Sequence, residues 1–212
     1  MTLPNPVRWL TGLLAALLLA AAAQAQPVAG REFQILNTPK PPSGPARIEV
    51  IEFFYYGCPI CYEVQPHIAR WLNRVANDVV LRRIPAISRD GWEPFARSFY
   101  ALEAMGEISR LHWPIYDNFH FDGKDLKEEA AMQDWVGRNG LDASKFKEHW
   151  NSEATTEKVR AAQKLLENFN IQGVPTLVVD GRYVTSARMA GGTRQMMDVV
   201  DALVNRARTD RR

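Results

Sequence analysis

The run I-E-V-I-E-F-F-Y-Y leads directly into G-C-P-I-C, and the cysteines at positions 58 and 61 are the only two among 212 residues. This β-branched and aromatic run reads as a strand over Ile48–Tyr55, buried on both faces. Gly57 breaks it. A helix is expected from Pro59 to Ala76, with Val64, Ile68, Leu72 and Val75 at helical spacing, and Val79–Ile87 reads as a second strand. Such a β-α-β unit closes as a right-handed crossover in a parallel sheet.

Beyond Asp90 the pattern changes. Residues 91–169 are helical in period, punctuated by Gly106, Pro114, Asp122-Gly123 and Asn139-Gly140. Four or five helices are predicted, the last from Glu153 to Phe169 with Ser152 as its N-cap. Strand character returns at Thr176–Asp180, and Asp180-Gly181 predicts a hairpin to Arg182–Val184. A final helix over Thr193–Arg206 should bury Met196, Val199, Val200 and Leu203. The first core strand is preceded by one short strand near Phe33–Leu36 and a proline-rich connector. The fold class is therefore α/β, with residues 26–89 and 170–212 forming one domain and the helical block 90–169 inserted into it.

The ends bound the setting. Arg8, the apolar stretch Leu10–Ala23 and the small-x-small triplet Ala23-Gln24-Ala25 have the layout of a secretory signal peptide cleaved after Ala25. The apolar stretch is shorter than the ~20 residues a spanning helix needs, so no stable membrane insertion is expected. With 26 Lys+Arg against 24 Asp+Glu, the chain has no electrostatic case for nucleic acid. Arg206, Arg208, Arg211 and Arg212 read as a frayed, solvated basic tail.

Three chemistries compete for the cysteine pair. A structural disulfide closing so short a loop contributes only about 2 kcal/mol, a poor reason for its presence. Zinc needs two further ligands, and His67, His112, His120 and His149 lack the spacing of a second knuckle, so each reads as a surface or half-buried side chain and no metal is expected. Redox chemistry fits the position best. At a helix N-terminus, the Cys58 sulfur meets the free N–H groups of Ile60 and Cys61 and the positive end of the helix dipole, because Pro59 offers no N–H. Thiolate is favoured there. Cys61, one turn further in, should be more buried and less reactive.

The stretch Gly173-Val174-Pro175-Thr176 precedes a strand, and together with the upstream Cys-x-x-Cys it resembles the thioredoxin superfamily. That resemblance implies a thioredoxin-like fold, a cis Pro175 packed by the cysteines, and a Val174 backbone to which an extended substrate pairs as an added strand. Pro66 stands where the superfamily's active-site helix carries a proline. For Glu52 two readings stand: an edge-strand side chain reaching solvent, or the acid that lies under the disulfide and relays protons, partnered by Arg82 or Arg83. The sequence E-F-F-Y-Y-G-C-P-I-C-Y, the helical insertion and G-V-P together resemble the DsbA family of periplasmic thiol:disulfide oxidoreductases. The family implies a dithiol oxidase with Cys58 as the attacked and leaving sulfur and Cys61 as its buried partner. It further implies no cofactor beyond that disulfide, exported cysteine-containing proteins as substrates, a DsbB-like quinone-linked membrane oxidase as reoxidant, and a monomer. One departure stands out: the family's usual dipeptide is Pro-His, and here it is Pro59-Ile60. Ile60 cannot donate a hydrogen bond or carry charge beside the sulfur, so a less oxidising couple is expected. A periplasmic reductant, an isomerase-type redox protein and a non-catalytic binding module are the rival readings.

Overall fold

The sheet is assembled around β2 (Ile48–Phe54), all seven of whose residues are buried. The computed structural model describes residues 26–37, 39 and 47–211. The expected signal peptide with its cleavage point, most of the proline-rich connector and Arg212 lie outside them. β2 pairs in parallel with β3 (Val79–Pro85) and antiparallel with β4 (Thr176–Val179). β4 continues antiparallel to β5 (Tyr183–Ser186), which pairs with the short β1 (Gln34–Ile35), giving the order β1-β5-β4-β2-β3. The β4–β5 turn carries two consecutive left-handed residues, Asp180 (φ 55°) and Gly181 (φ 61°), the backbone a tight two-residue hairpin demands.

Side chains alternate along β2, and this splits the core in two. Ile48 and Val50 face helix α1 (Pro59–Leu72) and the C-terminal helix α8 (Thr193–Asp210), meeting Val64, Ile68, Val200 and Leu203. Ile51 and Phe53 face the other way, into a cluster shared with the inserted helices. These are α2 (Glu93–Ala104), α3 (Ile108–His120), α4 (Glu129–Arg138), α5 (Ala143–Trp150) and α6 (Glu153–Asn168), and a four-residue α7 (Ala187–Ala190) precedes α8. Phe95, Met132, Trp135 and Phe146 of the insertion are core, whereas Trp113 and Phe121 are exposed. Ser152 caps α6 through the Thr155 N–H as expected, and Asp142 caps α5 through those of Ser144 and Lys145. Among the described residues no helix is long and apolar enough to cross a membrane.

Three local expectations need correction. Helix α1 ends at Leu72, not Ala76; it buries Trp71, while Leu72 is 37% exposed and Val75 reaches the core from the following turn. The Val75 N–H still bonds the Trp71 carbonyl, so the turn prolongs the apolar spacing without prolonging the helix. β3 ends at Pro85, opposite Phe54 at the end of β2, and the Ala86 N–H gives the last bond to the Phe54 carbonyl at 2.7 Å. The basic C-terminus is not a frayed tail: α8 runs to Asp210, and Arg208 grips Asp78 with two bonds of 2.7 and 2.8 Å. Arg211 pairs with the buried Asp180, and the Arg206 guanidinium lies over the rings of Phe33 and Tyr183. Arg206, Arg208 and Arg211 each find a partner from a distant segment.

Candidate active site

Gly57 releases the chain from β2, and Cys58 follows as the N-cap of α1. Its backbone is extended (φ −93°, ψ 116°), so its sulfur swings over the first turn and accepts the Cys61 N–H at 3.3 Å. Both cysteines are free thiols, Cys58 half-buried and Cys61 fully buried. Their acidities diverge accordingly. Hydrogen bonding from the Cys61 thiol, with smaller help from the N–H groups of Cys61 and Ile60, lowers Cys58 to about 7 against the opposing effect of burial. Burial, and then the bond to Cys58, push Cys61 well above the ordinary thiol range. One sulfur is prepared to be a thiolate and the other to stay protonated.

Opposite the pair, the Val174–Pro175 peptide is cis. The Cys58 thiol points at the Val174 carbonyl, Sγ to O 3.6 Å. Val174 and Pro175 lie with the exposed Ile60 and with Met189 along one groove, which runs on beside Glu63 and Arg188. Pro59 opens the helix, and Ile60 is 42% exposed. Pro66 lies inside α1, where it cannot return the usual N–H to the Tyr62 carbonyl.

Glu52 is not an edge residue reaching solvent. It belongs to the central β2, is 0% exposed, and by strand alternation faces α1 with Ile48 and Val50. Its partner is Arg83, Nε to Oε2 3.0 Å, whereas Arg82 pairs with Glu49. The other oxygen accepts from Gln65 Nε2 at 2.7 Å, and that amide nitrogen also reaches the Cys61 carbonyl at 3.2 Å. Burial raises the Glu52 carboxyl, opposed by Arg83 and Gln65.

Several residues that sequence reasoning passed over hold this site from the insertion. Tyr56, two residues before Cys58, is fastened at both ends by α3. Its hydroxyl shares a 2.8 Å hydrogen bond with His112 Nδ1, and its carbonyl accepts from His120 Nε2 at 2.7 Å. His120 also stacks on Tyr62, whose hydroxyl donates to Asp117 Oδ1 at 2.6 Å. His112 is thus fully buried, correcting the surface or half-buried reading, and burial holds it neutral. The signal was present: His112, Tyr116 and His120 recur every four residues and so share one helix face. Gln65, four residues after Cys61 within an apolar stripe, was equally visible. The four histidines do not converge with the cysteines as a ligand set; among the described residues, no cluster of three or more potential metal ligands occurs.

The model of the DSBA-like thioredoxin domain family matches residues 76–204. The thiol:disulfide interchange protein DsbA of Burkholderia cepacia is 37% identical over 184 residues, 85% of this chain and 87% of the relative. The protein of the same name from Pseudomonas aeruginosa is 36% identical over 201 residues, 94% of this chain and 95% of the relative. In three dimensions the crystal structure of Pseudomonas aeruginosa DsbA superposes with a TM-score of 0.82 at 34% identity, covering 87% of this chain and 96% of its own. The oxidoreductase DsbA from Xylella fastidiosa gives a TM-score of 0.79 at 26% identity, covering 86% and 98%.

Proposed function

The chain belongs to the DsbA-like thioredoxin family, and on that premise we propose that it donates the oxidised Cys58–Cys61 pair to newly exported proteins in the periplasm. The observation that carries this reading is the inequality of the two sulfurs: Cys58 half-exposed with a pKa of about 7, Cys61 buried and far harder to ionise. In the oxidised protein only Cys58 can be reached by an incoming thiolate. That thiolate forms a bond to Cys58 Sγ, the Cys58–Cys61 bond breaks, and its electron pair stays on Cys61. The buried Cys61 sulfur takes a proton, for which the Glu52 carboxyl beneath it is the donor. A second substrate thiolate then attacks the substrate sulfur of the mixed disulfide and expels Cys58 as thiolate. A stabilised thiolate is the better leaving group, which favours transfer to substrate.

Val174 and Pro175 supply the surface on which the extended substrate lies, and Pro59 and Ile60 set the electronic surroundings of Cys58. The chain reaches the periplasm through a signal peptide cleaved after Ala25 and works there as a monomer, with no cofactor besides its disulfide. A DsbB-like quinone-linked membrane oxidase returns the pair to the oxidised state.

The test is the equilibrium potential of the Cys58–Cys61 couple against a glutathione buffer. A couple on the oxidising side of glutathione is expected. A strongly reducing couple would overturn the oxidase reading in favour of a reductant, a rival that the uncharged Ile60 beside Cys58 keeps worth testing.

A further inference from the structure

Gln65 is an uncharged polar side chain that touches both the Glu52 carboxyl and the backbone of Cys61. It is 4% exposed, on the inner face of α1, and its Nε2 serves Glu52 Oε1 at 2.7 Å and the Cys61 carbonyl at 3.2 Å. An amide nitrogen carries two hydrogens, so both are committed and the amide cannot turn. Across the carboxyl, Arg83 Nε occupies Oε2 at 3.0 Å. Glu52 is therefore held at both oxygens, once from β3 and once from the helix that bears the cysteines. Because Gln65 bonds the Cys61 carbonyl at the same time, any shift of Cys61 relative to β2 must pull on the same amide.

We propose that Gln65 is a positioning residue for thiol–disulfide exchange, fixing the Glu52 carboxyl relative to Cys61 so that it can hand over its proton as the disulfide opens. The proposal rests on the reading of Glu52 as that proton donor. The step balances without a further reactant. The substrate thiolate bonds to Cys58, the electron pair of the broken S–S bond goes to Cys61 Sγ, and the proton moves from Glu52 to that sulfur, leaving a carboxylate held by Gln65 and Arg83. A neutral donor suits the place. It stabilises the carboxylate that remains, yet its charge does not hold the acid ionised beforehand, as a second cation would. The titratable and charged groups around Glu52 are Arg83 on β3, Cys61 in the first turn of α1, Tyr56 in the loop before it, and Tyr116 on α3; β4 contributes the apolar Leu177.

The experiment is the pH dependence of the single-turnover oxidation of a dithiol peptide by the oxidised full-length mature protein, with the rate constant corrected for the peptide's thiolate fraction. Wild type, Gln65→Met, Glu52→Gln and the double variant are compared. Met keeps the volume and removes the donor. Wild type should lose rate as pH rises through the Glu52 pKa. Gln65→Met should move that fall upward by about one pH unit, a tenfold change in the acid-to-carboxylate ratio, because the carboxylate has lost a hydrogen bond. In the Glu52→Gln background the fall should be absent and Gln65→Met should shift nothing. An inflection that vanishes in Glu52→Gln but stays unmoved in Gln65→Met overturns the role of Gln65 while leaving Glu52 as donor. A profile unchanged by Glu52→Gln removes the donor reading itself, and with it this inference. Equal effects of Gln65→Met with and without the Glu52 carboxyl would show packing alone, and would also overturn it. Should Gln65→Met fail to fold, Gln65→Asn, which keeps the amide but shortens its reach, is read in the same way.

Discussion

The phenol of Tyr55 lies flat on the indole of Trp92, ring centroids 4.0 Å apart and planes 1° from parallel. Tyr55 directly follows β2 and Trp92 closes the 3-10 turn that leads into the insertion, so the stack ties the two parts of the chain beside Cys58. Gly57 makes it possible. A Cβ there would lie 2.5 Å from Tyr55 Cε1 and 2.8 Å from its hydroxyl oxygen, so the ring occupies the space a side chain would need. Gly57→Ala must displace the ring and is expected to cost about 1–3 kcal/mol, the range for overpacking a filled site. Urea unfolding followed by tryptophan fluorescence checks both parts of this, since the midpoint and the Trp92 emission should change together.

Tyr56→Phe should be more costly than the loss of one hydroxyl suggests. His112 Nε2 is already buried without a partner, and the substitution would leave Nδ1 bare as well. A buried polar atom stripped of its bond costs about 1–3 kcal/mol, whereas removing both partners can be nearly neutral. Adding His112→Leu to Tyr56→Phe is therefore expected to recover part of the loss. Urea midpoints of the two singles and the double decide the point.

The reduced protein should gain stability as pH rises from about 7 to 9. Cys58 has a folded pKa of about 7 against an ordinary 9.0, so its thiolate favours the folded state. For a depressed acid that contribution is full above the unfolded pKa and disappears as pH falls through the folded one. Cys61 is shifted the other way and counts against the folded state only above pH 9, outside this window. Cys58→Ser should abolish the rise between pH 7 and 9. Thermal unfolding of the reduced protein and the variant across that range is the measurement.

Ile60→His should make the couple more oxidising. The backbone N–H of Ile60 already helps the Cys58 thiolate, and the side chain at this position stands partly in solvent along the groove. A charge-assisted bond of about 1.5–3 kcal/mol corresponds to roughly 30–60 mV for a two-electron couple. Equilibration with glutathione should show that rise together with a lower Cys58 pKa by thiolate absorbance. A raised potential with an unmoved pKa would place the effect in the disulfide form instead.

Much of this molecule is legible in its sequence, for reasons that are local. The run through Phe54, the break at Gly57, the N-cap geometry of Cys58 and the Asp180-Gly181 turn all act within a few residues, and each appears where expected. What escaped reading depends on partners far along the chain. Nothing near Arg211 announces Asp180, and nothing near His112 announces Tyr56. The stripe on α1 was misjudged for a simpler reason: Trp71 and Leu72 are successive apolar residues 100° apart on a helix, and only the packing of α8 decides which one turns inward. Glu52 was ambiguous because an acid in an apolar strand has two physical solutions, an edge or an internal ion pair. The sheet order, which places β2 between β3 and β4, selects the second.

The insertion departs from the sheet where Trp92 covers Tyr55 and rejoins it where Val174 faces the Cys58 sulfur. Both of its junctions are thus at the rim of the same few side chains, while the acid, the amide and the buried thiol lie in strands and a helix below. The helix between those junctions is not independent of what lies below: α3 holds Tyr56 at its hydroxyl through His112 and at its carbonyl through His120, two residues ahead of Cys58. A change in α3 that moved either histidine would reach the approach to the thiol pair directly, so this face of the insertion and the cysteine turn can drift only together.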